Sequence, residues 1–451
     1  MDIIIANLDP GHKYMTSKLL EKRITTLHFP TGLGIVAACL KKAKKDFKVY
    51  DSYVDGSTKG FLNTIAKEQP DIVLISGYLG NFGYAFIKDV ARGIKAAAKD
   101  ALIIIGGPIT ASIPDLLISN TRVDFVVVGE GEITIIELLD AIEKKANPSQ
   151  VKGLCLRGLS GEAFFTGRRK RINDLDNLSP FPMYDSFNIR AYIDYLQETG
   201  RCWEIVTSRG CSHRCRFCKL TFGGKLTFYS CETVIGHMDH VFEKYGIDRF
   251  SFVDDNFLNS RNRASAFLDR LENSPRRFKW RFQGRADAIS LRMVERMLKV
   301  GLFDISFGIE SASQKMLSAY GKGLNIKRAA DNLAAISGML DIHASFVIGG
   351  PGENWSTIKE TARFIRKLKL RRSVIYILTL FPGTALYDEG VQDGLIKDEE
   401  EYCMNLGPIY DRPYVNMSEL SDRDLLKARD LLVETAAEFG PYFSESQLSS
   451  T

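Results

Sequence analysis

Cys211, Cys215 and Cys218 stand in the segment Ser208-Arg-Gly-Cys-Ser-His-Arg-Cys-Arg-Phe-Cys218, a CxxxCxxC run. Three thiolates at that spacing can bind three irons of a [4Fe–4S] cluster and leave the fourth iron open to another ligand. Eight cysteines placed at random in 451 residues would produce roughly 0.003 such runs, so the spacing reads as a site. Structural zinc is the competing chemistry, but it needs a fourth ligand, usually from a second cysteine pair. His213 lies inside the run and no second pair exists, which favours the cluster. Cys39, Cys155, Cys202, Cys231 and Cys403 lie outside the run. In a reducing compartment they read as buried thiols rather than disulfides.

The elements that must position this run fall into two alternating series. Strand-like stretches at 3–6, 48–53, 72–76, 102–105 and 125–128 are separated by amphipathic stretches at 32–45, 61–68, 85–98 and 133–144. Five strands separated by helices predict a doubly wound parallel sheet, a Rossmann-like domain over residues 1–146. Residues 147–190 carry Pro148, Gly153, Gly158, Gly161 and Gly167 and short strand-like pieces without a sustained period, and are expected to be a linker that packs along both neighbours. A second alternation has strand-like stretches at 204–208, 249–254, 279–285, 305–309, 344–348 and 374–379. Helix-like stretches at 232–245, 261–273, 291–300, 326–337 and 356–368 follow most of them. Six β-α units predict a partial (β/α)6 TIM-type barrel over residues 191–390. Residues 391–451, with a helix at 422–439 and a tail at 444–451 expected to be disordered, form a small C-terminal helical extension.

The run sits just past the first barrel strand, at the end where barrel active sites are built, and Phe217 precedes its last cysteine. This resembles the radical S-adenosylmethionine (SAM) enzymes, and the resemblance covers about residues 200–390. It implies that the open iron binds the amino and carboxylate groups of SAM, which one electron cleaves to methionine and a 5′-deoxyadenosyl radical. Further segments at strand ends fit the resemblance in order. Phe252-Val-Asp-Asp-Asn-Phe257 stands where the family commonly has Gly-Gly-Glu. Asp254 and Asp255 could meet the SAM ammonium there by charge-assisted hydrogen bonds, a solvated turn being the alternative. Arg285, in Phe282-Gln-Gly-Arg-Ala-Asp287, could hold the SAM carboxylate or form an ion pair with Asp287. Gly308-Ile-Glu-Ser311 makes Glu310 an acceptor for the ribose hydroxyls. Gly349 and Gly350, in Phe346-Val-Ile-Gly-Gly-Pro-Gly-Glu353, permit a close approach of adenine. Phe381-Pro-Gly-Thr-Ala-Leu-Tyr387 closes the series.

In the first domain, Ser76-Gly-Tyr-Leu-Gly80, Gly106-Gly-Pro108 and Gly129-Glu-Gly-Glu132 lie beyond strand ends, where doubly wound sheets bind ligands. No GxGxxG follows the first strand and no GxxxxGK[ST] occurs, so nicotinamide and P-loop readings are weak. Fused ahead of such a barrel, the domain looks like a cobalamin-binding domain. Ser76, Gly77, Gly106, Gly107, Gly129, Glu130 and Gly131 then resemble the cofactor-lining segments. The family motif DxHxxG is absent, and Asp9-Pro-Gly-His12 has the wrong spacing. His12 and His28 therefore read as loop histidines. Members without the motif hold cobalamin with no histidine beneath the cobalt; a domain that has lost its ligand is the alternative.

On this resemblance the chain is a cobalamin-dependent radical SAM C-methyltransferase like the class B methylases, acting on an unactivated carbon through a 5′-deoxyadenosyl radical and methylcobalamin. A dehydratase, epimerase or cyclase is the alternative, with Cys403 a candidate hydrogen-atom donor or a buried structural thiol. A non-catalytic cobalamin or redox sensor is a second. The resemblance implies a small-molecule or peptide substrate and an electron donor such as flavodoxin or ferredoxin. Tyr402, Tyr410, Tyr414 and Trp355 are expected either to wall the pocket or to be ordinary core. The net charge of +5 and scattered basic clusters at 41–48, 168–171 and 366–372 read as solvated faces, not a nucleic-acid surface. The sequence shows neither a membrane-spanning stretch nor a signal peptide, so a cytoplasmic chain is expected.

Overall fold

Short runs of isoleucine and valine, buried on both faces, build the first sheet. The computed structural model describes residues 1–9, 27–80, 82–179, 181–407 and 412–440. The chain divides into two units, Met1–Tyr195 with Ile396–Pro408, and Leu196–Leu395 with Ile409–Thr451. In the first, β1 (Ile3–Asn7), β2 (Lys48–Asp51), β3 (Ile72–Ser76), β4 (Leu102–Gly106) and β5 (Phe125–Val127) run parallel in the order β2-β1-β3-β4-β5. Ile4, Ile75, Ile103 and Ile105 enter one core cluster, and Ile3, Ile5, Leu74 and Ile104 the other. That two-sided burial is why the strands read as unbroken apolar runs. The strand order reverses between β1 and β3, the kind of switch point where a doubly wound sheet opens a crevice.

Two expectations are refined. The short strand pieces expected within the 147–190 linker pair as a hairpin, β6 (Leu154–Arg157) and β7 (Ala163–Phe165), which extends the first sheet antiparallel from β5. The hairpin has strands of four and three residues, and Phe164 and Phe165 are exposed, so no period emerges. The C-terminal extension is not one body. The helix Glu399–Asn405 belongs to the first unit, where Glu400 accepts from Lys88 Nζ at 2.6 Å and from the Tyr84 hydroxyl at 2.8 Å. Cys403 is 1% exposed in that unit's core, with Tyr402 packed against the same cluster.

The second unit opens with β8 (Trp203–Ile205), followed by the antiparallel pair β9 (Ser208–Arg209) and β10 (Thr227–Phe228). Then come β11 (Arg249–Phe252), β12 (Lys279–Gly284), β13 (Leu302–Glu310), β14 (Asp341–Ile348) and β15 (Arg372–Ile377). Its main sheet is parallel throughout, in the order β8-β11-β12-β13-β14-β15. The two end strands are not paired with each other, so the barrel is partial. Side-chain caps set where its helices begin. Ser230, Ser260, Ser290 and Asn325 each accept from the backbone N–H three residues on, opening Cys231–Tyr245, Arg261–Glu272, Leu291–Lys299 and Ile326–Ile336. Asn354 closes a capping box before Trp355–Leu368. Phe252, Trp280 and Phe346 meet helix residues Phe267 and Phe364 on the sheet's outer side.

A glycine pair offers a test of this architecture. Gly301 has φ of +95°, and a Cβ there would fall 1.8 Å from the Phe278 carbonyl oxygen, whereas nothing lies within 4 Å of one at Gly236. Gly301→Ala is expected to cost about 3 kcal/mol or more. Gly236→Ala, inside the helix Cys231–Tyr245, is expected to add about 0.5–1 kcal/mol. Urea unfolding of the two variants checks both signs.

Candidate active site

The cysteine run lies in an irregular loop that neighbouring elements must hold. Where β8 ends, Asp254 accepts from the Thr207 N–H at 2.6 Å, the Ser208 N–H at 2.9 Å, the Ser208 hydroxyl at 2.8 Å and the Thr207 hydroxyl. It is 1% exposed. Burial raises its carboxyl above the ordinary value against the pull of those hydrogen bonds. Asp254 is therefore committed to the turn that launches the loop and is not available to a SAM ammonium, a correction to the expectation for the Asp-Asp pair. Asp255 is exposed, and its charge acts on Cys218. Gly210, at φ of +88°, carries the chain so close to Lys225 that a Cβ would sit 2.4 Å from its carbonyl oxygen.

Cys211 is buried, Cys215 half-buried and Cys218 exposed. Desolvation and then the charges of Cys215, Asp255 and Cys211 push the Cys218 thiol up to about 12, and desolvation also raises Cys215. Among the described residues no three His, Cys, Asp or Glu side chains converge as ligands of a single ion. A four-iron cluster asks for something else, three sulfurs each bound to a different iron. The donor set fits that group, and bound iron would displace the thiol protons.

A segment that sequence reasoning missed closes over this loop. The Arg216 N–H donates to the Tyr320 carbonyl at 2.8 Å, and Arg216 Nη1 to the Ala319 carbonyl at 2.9 Å. Phe217 meets the Tyr320 ring edge-on at 5.4 Å between centroids. The Tyr320 hydroxyl donates to the Val347 carbonyl at 3.1 Å. A Cβ at Gly350 would lie 2.2 Å from the Tyr320 ring. Gly350 must be glycine for the close approach of Tyr320. Gly349, at φ of +96°, donates its N–H to Glu353 at 2.6 Å.

Lys322, two residues further on, places its ammonium 2.7 Å from Glu310 Oε1, with both side chains almost fully buried. Burial disfavours the Lys322 charge, but Glu310 and then Cys215 more than offset this, so its pKa is raised. Glu310 has φ of +65° at a register shift between β13 and β14. A non-glycine residue so placed stores strain of the kind found at ligand sites. Arg285 is taken up structurally. It forks onto Asp287 at 3.1 and 2.9 Å and donates to the carbonyls of Lys322 at 2.8 Å and Gly323 at 3.0 Å. Of its two readings the structure has the ion pair, which pins the Lys322 segment. The sequence cue for that segment was Tyr320-Gly-Lys-Gly323, two glycines at φ of +58° flanking the lysine.

In the first unit the strand-end loops are cross-tied. The Gly77 N–H donates to the Gly106 carbonyl at 3.0 Å, and the Thr110 hydroxyl to the Val127 carbonyl at 2.6 Å. A Cβ at Gly107 would collide with the Ser76 hydroxyl, and one at Gly77 with Ile109, so both glycines serve loop packing. Among the described residues, a Cβ at Gly106 or Gly129 would meet nothing within 4 Å. Those two open positions fit the approach of a large planar ligand. Gly131 begins the helix Gly131–Glu143 in ordinary contact with Val127 and Ile135. Glu130 is buried and accepts from the Ile172 N–H and Arg171 Nε, both at 2.8 Å, so it ties down the following segment rather than lining a cofactor. Burial and the charges of Glu399 and Glu400 push the Cys403 thiol up to about 12. Inside a packed core it is a structural thiol, not an accessible hydrogen donor. Trp355 opens a helix and Arg412 lies over the Tyr414 ring; His12, Tyr410 and residues 444–451 lie outside the described residues.

Residues 205–365 match the radical SAM superfamily and residues 18–139 the B12 binding domain. An uncharacterized methyltransferase of Pyrococcus horikoshii is 29% identical over 388 residues, covering 84% of this chain and 82% of its own length. Cytidylyl-2-hydroxyethylphosphonate methyltransferase of Streptomyces wedmorensis is 24% identical over 481 residues, covering 92% and 86%. The solved structure of TsrM, a radical SAM methyltransferase from Kitasatospora setae, shares the fold at a TM-score of 0.71 and 16% identity, over 88% of this chain and 77% of that one. Among the described residues no helix is long and apolar enough to cross a membrane.

Glu353 makes the Gly349 turn titratable. Burial raises its carboxyl from 4.5 to about 7 despite hydrogen bonds from Gly349, Gly350 and Thr357. The folded protein holds this proton more tightly than the unfolded chain does. Its stabilisation is therefore complete below about pH 4.5 and is lost as the pH rises through about 7. Against Glu353→Gln, the wild type should lose on the order of 3 kcal/mol across that window. Denaturant titrations at pH 4.5, 6 and 8 check it, and parallel curves would refute it.

Proposed function

Because the chain belongs to the radical SAM superfamily, among its members with an N-terminal B12-binding domain, we propose that it is a cobalamin-dependent C-methyltransferase acting on an unactivated carbon. The observation that carries this reading is the cysteine loop at the carboxyl end of β8, tied through Arg216 to Ala319 and Tyr320, in one chain with a doubly wound sheet whose Gly106 and Gly129 meet no described neighbour. Relatives of matching length that bear methyltransferase names support the methyl outcome. When bound, the [4Fe–4S] cluster supplies the electron that cleaves SAM, and cobalamin the methyl group.

The chain's own residues bind and orient. Cys211, Cys215 and Cys218 would hold three irons. Asp255, exposed and acting electrostatically on Cys218, would meet the SAM ammonium. Glu310 would accept the ribose hydroxyls through the carboxylate oxygen not bound to Lys322, whose ammonium fixes the orientation of that carboxylate. Phe217 and Tyr320 form an apolar wall beside the loop that excludes water. The loops bearing Ser76, Gly106 and Gly129 would line cobalamin. A cytoplasmic setting and a small carrier such as flavodoxin or ferredoxin as reductant complete the proposal.

Two measurements test it. Protein reconstituted anaerobically with iron, sulfide and hydroxocobalamin should retain cobalamin and form 5′-deoxyadenosine from SAM and reductant; Cys215→Ala should reduce that product to background. Full turnover by protein that binds no cobalamin would refute the methyltransferase assignment. Glu310→Gln should weaken SAM binding roughly tenfold, about 1.4 kcal/mol, with unchanged iron content, measured by equilibrium dialysis.

A further inference from the structure

The second sheet differs in kind from the first on its inner side. Phe250, Phe252, Trp280, Phe282, Phe307 and Phe346 are fully buried on the helix side. The residues between them are Ser251, Arg281, Gln283, Ser306 and Ser345, which are half-buried or exposed. Parallel barrels are ordinarily filled by apolar side chains, and parallel sheets are apolar on both faces. Here the inner face is polar on every strand from β11 to β14.

At the amino ends of these strands the polar face becomes cationic. Parallel register sets Arg281 beside Asp304, and His343 beside Arg372. Asp304 Oδ2 lies 3.0 Å from His343 Nε2, 3.6 Å from Arg281 Nε and 4.0 Å from Arg372 Nη1. Arg372 also reaches Asp341 at 3.2 Å, but Arg371 shares that more exposed carboxylate. Arg249, on the next strand, stands over the Phe303 ring. Arg281 and Arg372 are only 15% and 11% exposed. Asp304 Oδ1 and Arg249 Nε are buried without a hydrogen bond among the described residues. Burial would raise the Asp304 carboxyl, yet His343, Arg281 and Arg372 together hold it below its ordinary value.

The three guanidiniums of Arg249, Arg281 and Arg372 face two carboxylates, the buried Asp304 and the more exposed Asp341, and part-buried positive charge in excess of its partners is costly unless an anion balances it. We propose that the inner face of the barrel is a substrate-binding surface whose Arg281 and Arg372, with His343, hold a tetrahedral oxyanion, a phosphate or phosphonate group. Planar guanidinium forks match that geometry. The reacting end of the substrate then points up the polar wall of Ser306 and Ser345 toward Glu310 at the carboxyl end of β13. This rests on the proposed function for its identity as a substrate site, but the anion site itself does not.

The probe is inorganic phosphate, titrated calorimetrically into the anaerobically reconstituted full chain. Saturable binding is expected, at least tenfold weaker in Arg281→Gln and in Arg372→Gln, and unchanged in Arg276→Gln, whose partners are Asp239 and Glu243. Asp304→Asn removes the competing carboxylate and should tighten binding several-fold, which keeps the test decisive if an arginine variant does not fold. Acetate should compete at least tenfold less well than phosphate; equal competition would overturn the tetrahedral assignment. Absence of saturable binding in the wild type, or affinity indifferent to Arg281, Arg372 and Asp304 together, would overturn the site. Phosphate binding without 5′-deoxyadenosine formation would instead keep the site and sink the enzymatic reading.

Discussion

The four hydrogen bonds that Asp254 accepts from Thr207 and Ser208 are the constraint on which the site depends. Between Cys211 and Cys218 there is no helix or strand to fix the sulfurs, and a loop of that length explores many shapes unless its ends and middle are tied. Asp254 ties the entry to the end of β11. Tyr320 and Ala319, accepting from Arg216, tie the middle. Arg285 pins the carbonyls of Lys322 and Gly323, so the tie is itself anchored to the end of β12. Each restraint is a buried, charge-assisted or backbone bond, the class whose loss leaves an unpaired polar group behind.

That chain of ties explains which parts of the site were legible from sequence. The cysteine spacing is local, and so are the glycine-marked strand ends, because tight turns and close approaches demand particular residues where they occur. Asp254 was recognised as special for the right physical reason and given the wrong partner, whereas one of the two readings of Arg285, the ion pair with Asp287, is the one the structure has. A carboxylate at a strand end announces a charge-assisted acceptor, but whether its donors come from a ligand or from Thr207 depends on three-dimensional proximity. Lys322 was not seen at all. A lysine in a glycine-rich turn reads as solvated, and only Glu310, twelve residues away across a register shift, draws it inside.

The fold follows the same division. Strands and helices of both units follow from periodicity, and the helices of the second begin at serine and asparagine caps that sequence displays directly. The hairpin of β6 and β7 and the return of Glu399–Asn405 to the first unit do not. Both are short, and their burial is supplied by residues remote in sequence, among them Tyr84 and Lys88 for Glu400. Cys403 shows the consequence: its burial follows from the helix it rides on, which composition could not place.

The contrast between the two sheets reaches furthest. Both are dominated by parallel strands, and a parallel sheet flanked by helices has every reason to be apolar throughout. The first obeys, with unbroken isoleucine runs, so any ligand must lie beyond its strand ends, where Gly106 and Gly129 leave room. The second alternates, and a strand that pairs a phenylalanine outward with an arginine, serine or glutamine inward cannot be explained by packing. Setting Arg249, Arg281 and Arg372 inside a barrel forfeits the stability that apolar residues would provide there. A fold accepts such a cost where the polar face has contents of its own, and the guanidiniums of Arg281 and Arg372 at its floor favour an anion among them.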